Sequence, residues 1–415
     1  MTSHRSLFHG ETITQALSVY LPATALCRLI GLVRNILLTW WMFDPTEFGL
    51  FALALVVINL LNPLCSLALN EAVTRYTPLY ETRGMLRGFV WRSGLLVCVV
   101  GAATTALLLK LAPTVGGTLF ETLTLRTRSA PAHAMSSHVL MENIAWTTFT
   151  LIVYFFAIGV FKGLRMFRAI SLMELVSASC FTVLALMAVL RGHGTAAAVI
   201  ACYMMSMWVA LACFALPAAL IVFTSEPDDR SIEGEPVVRR MLVFSLWAAA
   251  AAVAWQAMQS YPLWYLHRIH GGEPTGVLGA VRTLAQYVAV ASLAVVVVVM
   301  TAATKLWESQ GRSAADRLLA LSFKATSLAL LIACVILSVF RREIVLLFHP
   351  GYREGAAAVP LSLLSFLIVG NLAFLSVHFY LIEKTRFLFW PWAIGLGCSV
   401  LAGLWLIRGA AAGAT

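Results

Sequence analysis

"CRLIGLVRNILLTWW", Cys27 to Trp41, sets Arg28 and Arg34 inside an apolar run that opens at Thr14 and closes at Phe43. The run is long enough to cross a bilayer, which takes about 20 apolar residues in a helix. Each of these permanent cations costs roughly 2.5–3.5 kcal/mol if it faces lipid at the helix centre, so both must face protein or water. An arginine inside a span is by default a functional group. Six residues separate the two, about 9 Å along the axis and about 120° around it. They do not share one stripe, and their long side chains converge only if a cavity wraps part of the helix. Gly31 between them thins the helix where a ligand or a neighbouring helix approaches. The alternative is a structural pair, bonded to neighbouring carbonyls or to Glu142 and Glu174, the carboxylates that fall within the first six spans.

The remainder of the chain has the same apolar character. Of 415 residues, 60% are hydrophobic and 12% charged, and the mean hydropathy is +0.87. Soluble domains carry about a quarter charged residues, so no water-soluble surface can be built from this composition. The first apolar run exceeds a signal-peptide core and has no small-residue cleavage site behind it, which predicts a retained span. Further runs cover Phe48–Leu69, Phe89–Leu111, Val139–Phe161, Ser171–Leu190, Ala196–Phe223, Met241–Leu266, Val277–Ala303, Leu318–Phe340, Val359–Ile382 and Phe387–Ile407. The expected fold is an all-α integral membrane protein of about eleven spans. The eight cysteines lie in apolar runs without CxxC spacing and read as small buried hydrophobes, with no disulfide, metal site or cofactor implied.

Lys and Arg placement orients the spans. Arg5, Arg75, Arg83, Arg87, Arg92, Lys162, Arg165, Arg168, Arg230, Arg239, Arg240, Lys305, Arg312, Arg317, Lys384 and Arg386 fall on one side, about twice as many as on the other. This predicts a cytoplasmic N-terminus. The net charge of +10 is then accounted for by basic loops facing anionic membrane lipids, and no nucleic acid is implied. The one markedly polar linker, "TSEPDDRSIEGEPVVRR" (Thr224 to Arg240), sits near the midpoint. "FDPTEFGLFALA" (Phe43 to Ala54) is weakly echoed by "GGEPTGVLGAVR" (Gly271 to Arg282). Together they suggest a duplication into two pseudo-symmetric bundles, typical of alternating-access transporters. The expected organisation is a six-helix bundle over 1–223, a cytoplasmic linker over 224–240 and about five helices over 241–415. A second bundle of six would need one more helix after Ile407, so the twelfth span is expected to be absent or truncated.

Arg282 lies some two turns inside the eighth span. With Arg28 and Arg34 in a wet cavity it would make an anion site, and a diphosphate suits guanidinium forks, which pair phosphate oxygens bidentately. Asn59, Asn62, Gln256, Gln259 and Gln286 could line the cavity and meet sugar hydroxyls, or serve as interhelical glue. Glu142, Glu174 and His378 are candidates for ion coupling. Pro22, Pro63, Pro217 and Pro262 are expected to bend their helices. Catalytic constellations such as HExxH, GxSxG or a phosphate-binding loop are missing, so no enzyme is expected. A loop of about 27 residues, Ala112 to His138, carries Arg126, Arg128, His133 and His138 and reads as solvated.

"SVYLPATALCRLIGLVRNILLTWWMFDPTEFGLFALALVVINLLNPLCSLALNEAVTRYTPLY" (Ser18 to Tyr80) resembles the opening of the polysaccharide-exporting flippases of the MATE-like MOP superfamily. "FKGLRMFRAISLMELVSA" (Phe161 to Ala178) is similar to their connection between spans four and five. "EIVLLFHPGYREGAAAVPLSLLSF" (Glu343 to Phe366) is similar to their turn into span ten. The resemblance implies a flippase moving undecaprenyl-diphosphate-linked oligosaccharide across the bacterial cytoplasmic (inner) membrane, of the O-antigen or exopolysaccharide type. It also implies that Arg28, Arg34 and Arg282 contact the diphosphate. A polymerase or glycosyltransferases would be its partners. The acidic residue usual near the end of span seven is missing; "WYLHRIHGG" (Trp264 to Gly272) has His267, Arg268 and His270 instead. The competing readings are a multidrug or cation antiporter of the same superfamily, an O-antigen ligase or polymerase-type membrane enzyme, and a transporter-like scaffold.

Overall fold

A computed structural model describes residues 13–41, 45–124, 132–192, 194–215, 237–270, 272–346 and 355–412. The described residues contain thirteen α-helices and no strand. In chain order they are α1 (Ile13–Trp41), α2 (Pro45–Cys65), α3 (Leu69–Thr82), α4 (Leu86–Thr124), α5 (Ala132–Gly163), α6 (Phe167–Leu190) and α7 (Ala196–Ala210). There follow α8 (Val237–His270), α9 (Gly272–Gln310), α10 (Arg312–Val339), α11 (Arg341–Leu346), α12 (Val359–Leu381) and α13 (Arg386–Ala412). A short π-helical turn, Leu211–Ala215, extends α7. Ten of the described segments are long and apolar enough to cross a membrane, and the 21-residue α2 occupies the remaining expected span. Such helices satisfy their own backbone, and their hydroxyls bond back one turn, as Thr148 to the Ile144 carbonyl (2.8 Å) and Thr104 to that of Val100 (2.9 Å).

The chain forms two compact units, residues 1–249 and 250–415. In the first, α5 is the core helix, touching α2, α3, α4 and α7, while α1 lies along α6. Leu26, Leu29 and Val33 of α1 point outward, whereas Ala16 and Tyr20 are buried. In the second, α9 is central and packs against α10 and α12. Gly370 of α12 makes this possible. A Cβ there would come within 2.8 Å of the Ser292 Cβ, and the Ser292 hydroxyl donates to the Gly370 carbonyl at 2.8 Å. Only Gly311 joins α9 to α10, with φ +87° and ψ 178°, a conformation open essentially to glycine alone.

Three expectations are corrected. The second span does not run on to Leu69: α2 ends at Cys65, and Leu67 and Ala68 both adopt φ of 49° before α3 restarts the helix. Arg75, expected in a basic loop facing anionic lipid, is instead carried by α3 and is 2% exposed. The expected long loop is mostly helix, because α4 continues to Thr124 and α5 begins at Ala132. Arg126 and Arg128 lie outside the described residues, as do Pro217 and residues 224–236 of the linker. Helices α1 and α8 continue without interruption through Pro22 and Pro262.

Candidate anion site

The first half of α1 docks on α6, where the Tyr20 ring meets Phe167 at 5.7 Å between centroids. Residues 16, 20, 24 and 28 follow one another at helical spacing, which carries Arg28 to the margin of this buried face, where it is exposed. Its charge acts on Glu174 of α6 and Tyr203 of α7. Arg34 is half-buried. Its guanidinium carbon lies 4.1 Å from the centre of the Phe181 ring, and its Nε and Nη2 donate to Asn35 Oδ1 at 3.3 and 3.1 Å. Phe181 packs in turn on Tyr203 at 4.9 Å. A guanidinium over an aromatic face gains about 0.5–2 kcal/mol, more when desolvated. Arg34 is therefore held in place while Arg28 is exposed beside it.

Around the pair the structure assembles Glu174, singled out in the sequence, together with groups that sequence reasoning missed. Glu174 interacts with Lys162 at the end of α5 as well as with Arg28, and Lys162 also acts on Glu71 of α3. Tyr154 of α5 shares a hydrogen bond with Ser177 and, like Tyr20, feels the Glu174 charge. Cations Arg28, Arg34 and Lys162 outnumber the carboxylates Glu71 and Glu174, so the cluster is basic on balance. The signal for Lys162 and Glu71 was their position at the ends of apolar runs. The tyrosines gave none, since a tyrosine in a span reads as packing. A second basic and aromatic cluster lies on α3 and the start of α8, where Arg75 and Arg240 face Tyr76 at 5.9 and 5.0 Å and Tyr76 meets Phe244 edge-on.

In the other unit, Arg282 of α9 donates from Nη2 to Gln259 Oε1 of α8 at 2.5 Å and lies 5.9 Å from the Phe366 ring. Two residues singled out in the sequence are thus brought together. Gln256 is half-buried one turn from Gln259, and Gln286 is exposed one turn from Arg282. Asn59 is exposed, and Asn62 is half-buried with its Oδ1 unpartnered among the described residues. Glu142 is engaged locally, 3.6 Å from His138 one turn earlier. His378 Nδ1 lies 3.4 Å from Asp316 Oδ1, and Asp316 also accepts from Arg312 at 3.2 Å. The site on α1 can hold anionic oxygens by charge and by forked hydrogen bonds.

The family model for "Polysaccharide biosynthesis protein" matches residues 13–304. No curated protein sequence is a match. Among solved structures, a MATE protein in the straight conformation superposes with a TM-score of 0.74 at 14% identity, over 100% of both chains. An outward-facing multidrug resistance MATE family transporter of the MOP superfamily gives 0.67 at 13%, again over 100% of both. A MOP superfamily transporter from Pyrococcus furiosus, for which reverse polarity of the binding pocket suggests a different function, gives 0.65 at 13%, over 98% of this chain and 97% of that one. With more than two thirds of its length matched by that family model, this multi-pass membrane chain belongs to the polysaccharide biosynthesis protein family and has the MATE fold.

Proposed function

We propose that this transporter flips undecaprenyl-diphosphate-linked oligosaccharide across the bacterial cytoplasmic membrane by alternating access, for surface polysaccharide assembly. The observation that carries the reading is the pair on α1, with Arg34 fixed on Phe181 and Arg28 exposed beside it. A diphosphate is multiply charged at neutral pH and matches two guanidiniums that stay charged there. The family supplies the glycan: its members' shared description is polysaccharide biosynthesis. Arg282, steadied by Gln259, is a further diphosphate contact. Polymerases or glycosyltransferases acting on the same lipid-linked glycan are the expected partners, and no bond is broken during transport. A cation exporter would want a carboxylate free of neighbouring cations, whereas Glu174 feels the charges of both Lys162 and Arg28.

The test is glycan export in a flippase-deleted host expressing wild type, Arg28→Ala or Arg28→Lys at matched abundance. Wild type restores export. Arg28→Ala reduces it at least tenfold and leaves lipid-linked glycan on the inner leaflet, while Arg28→Lys retains part of the activity because charge persists without the fork. Full export by Arg28→Ala would remove the anion-site reading.

A further inference from the structure

The second unit carries a groove that the transport site does not use. It lies where α10 ends, α11 turns away and α12 begins, with a volume of about 680 Å³. Val335, Val339 and Leu364 form its walls, and Arg341, Arg342 and Glu343 stand at its rim. Val335 is 57% and Val339 70% exposed, so in a spanning helix these walls face acyl chains. Among the described residues neither rim arginine has a hydrogen-bond or ion-pair partner. An apolar trough ending in two exposed guanidiniums matches an amphiphile whose anion sits at the interface and whose chains run into the hydrocarbon.

We infer that this groove is a binding site for an anionic phospholipid, its phosphate held by Arg341 and Arg342 and an acyl chain laid along Val335, Val339 and Leu364. The bilayer around the protein supplies this occupant. Phosphatidylglycerol fits the rim best. Its phosphate meets two cations, its glycerol hydroxyls can donate to Glu343, and it lacks the quaternary ammonium of phosphatidylcholine, which would oppose the net positive rim. Arg341 and Arg342 open α11 directly after the last apolar turn of α10, the position at which a spanning helix meets the headgroup layer.

Native mass spectrometry of the full chain in neutral detergent, titrated with phosphatidylglycerol, phosphatidylethanolamine or phosphatidylcholine, tests the assignment. Phosphatidylglycerol is expected to bind at one saturable site more tightly than either zwitterionic lipid. The Arg341→Gln/Arg342→Gln double variant is expected to weaken it about thirty-fold, from about 1 kcal/mol per basic side chain at a lipid surface. Leu364→Trp, which fills the trough and leaves the arginines in place, is expected to lower occupancy as well. Arg28→Ala is expected to keep it. Equal binding of all three lipids, or wild-type binding by the double variant, would overturn the site. Unchanged binding by Leu364→Trp would reduce it to diffuse surface attraction. Displacement of phosphatidylglycerol from wild type by a lower concentration of undecaprenyl diphosphate, with part of the undecaprenyl diphosphate binding lost in Arg341→Gln/Arg342→Gln, would assign the groove to the transported lipid instead and equally overturn the proposal.

Discussion

Arg28 and Arg34 occupy one helix and do different work because their neighbours differ. Arg34 lies over Phe181, so losing the ring should loosen the guanidinium without removing the charge. Phe181→Leu is expected to weaken binding of inorganic pyrophosphate about fivefold, the equivalent of about 1 kcal/mol of cation–π attraction, measured by calorimetry on purified protein. The Arg28 charge acts on Glu174, so an ionised Glu174 would compete with a diphosphate for Arg28. Glu174→Gln removes that competitor and is expected to tighten pyrophosphate binding by ~5-fold. Unaltered affinity would show that Glu174 does not compete for Arg28. The cations were legible in the sequence because a charge inside twenty apolar residues has no inconspicuous explanation. Phe181 and Tyr203 were not, because an aromatic residue in a span looks the same whether it meets a guanidinium or a lipid chain. The pairing of His378 with Asp316 was hidden for another reason. It joins α10 to α12, and nothing local to either helix announces the other.

The elements themselves were readable where length and apolarity decide them, which is why the long spans match the expected runs. They were misread where a helix is short or mixed. The 14-residue α3 carries Glu71, Arg75, Pro78 and three threonines, and its apolar content is too low for a span. It becomes a helix because α5 offers it a smooth face. A Cβ on Gly159 would approach the Asn70 carbonyl at 3.0 Å, and one on Gly163 would collide with Thr77. The same close approach exists between α9 and α12, so Gly370→Ala is expected to destabilise the protein by about 1–3 kcal/mol through overpacking against Ser292. A lowered midpoint of thermal unfolding in detergent would register it. At the break before α3 the sign reverses. Ala68 holds φ 49° and ψ 32°, where a non-glycine residue costs roughly 1–2 kcal/mol, so Ala68→Gly is expected to leave the midpoint unchanged or raise it.

At the scale of the molecule, the distribution of basic residues sets how the chain sits in a membrane. Fluorescent-protein and alkaline-phosphatase fusions provide the check. A junction at residue 230 is expected to fluoresce and lack phosphatase activity, and one at residue 128 is expected to do the opposite. The reverse result would invert the orientation argued from Lys and Arg counts. Composition made the membrane class legible at once, and the duplication was suggested by one polar linker and one short echo.

The single residue at Gly311 carries a consequence for biosynthesis. With no loop to close, α9 and α10 can zip together as soon as both have left the ribosome, whereas the Ser292 to Gly370 clasp bridges 78 positions and must wait for α12. The C-terminal unit is thereby expected to assemble in sequence, the α9–α10 hairpin first and α12 afterwards.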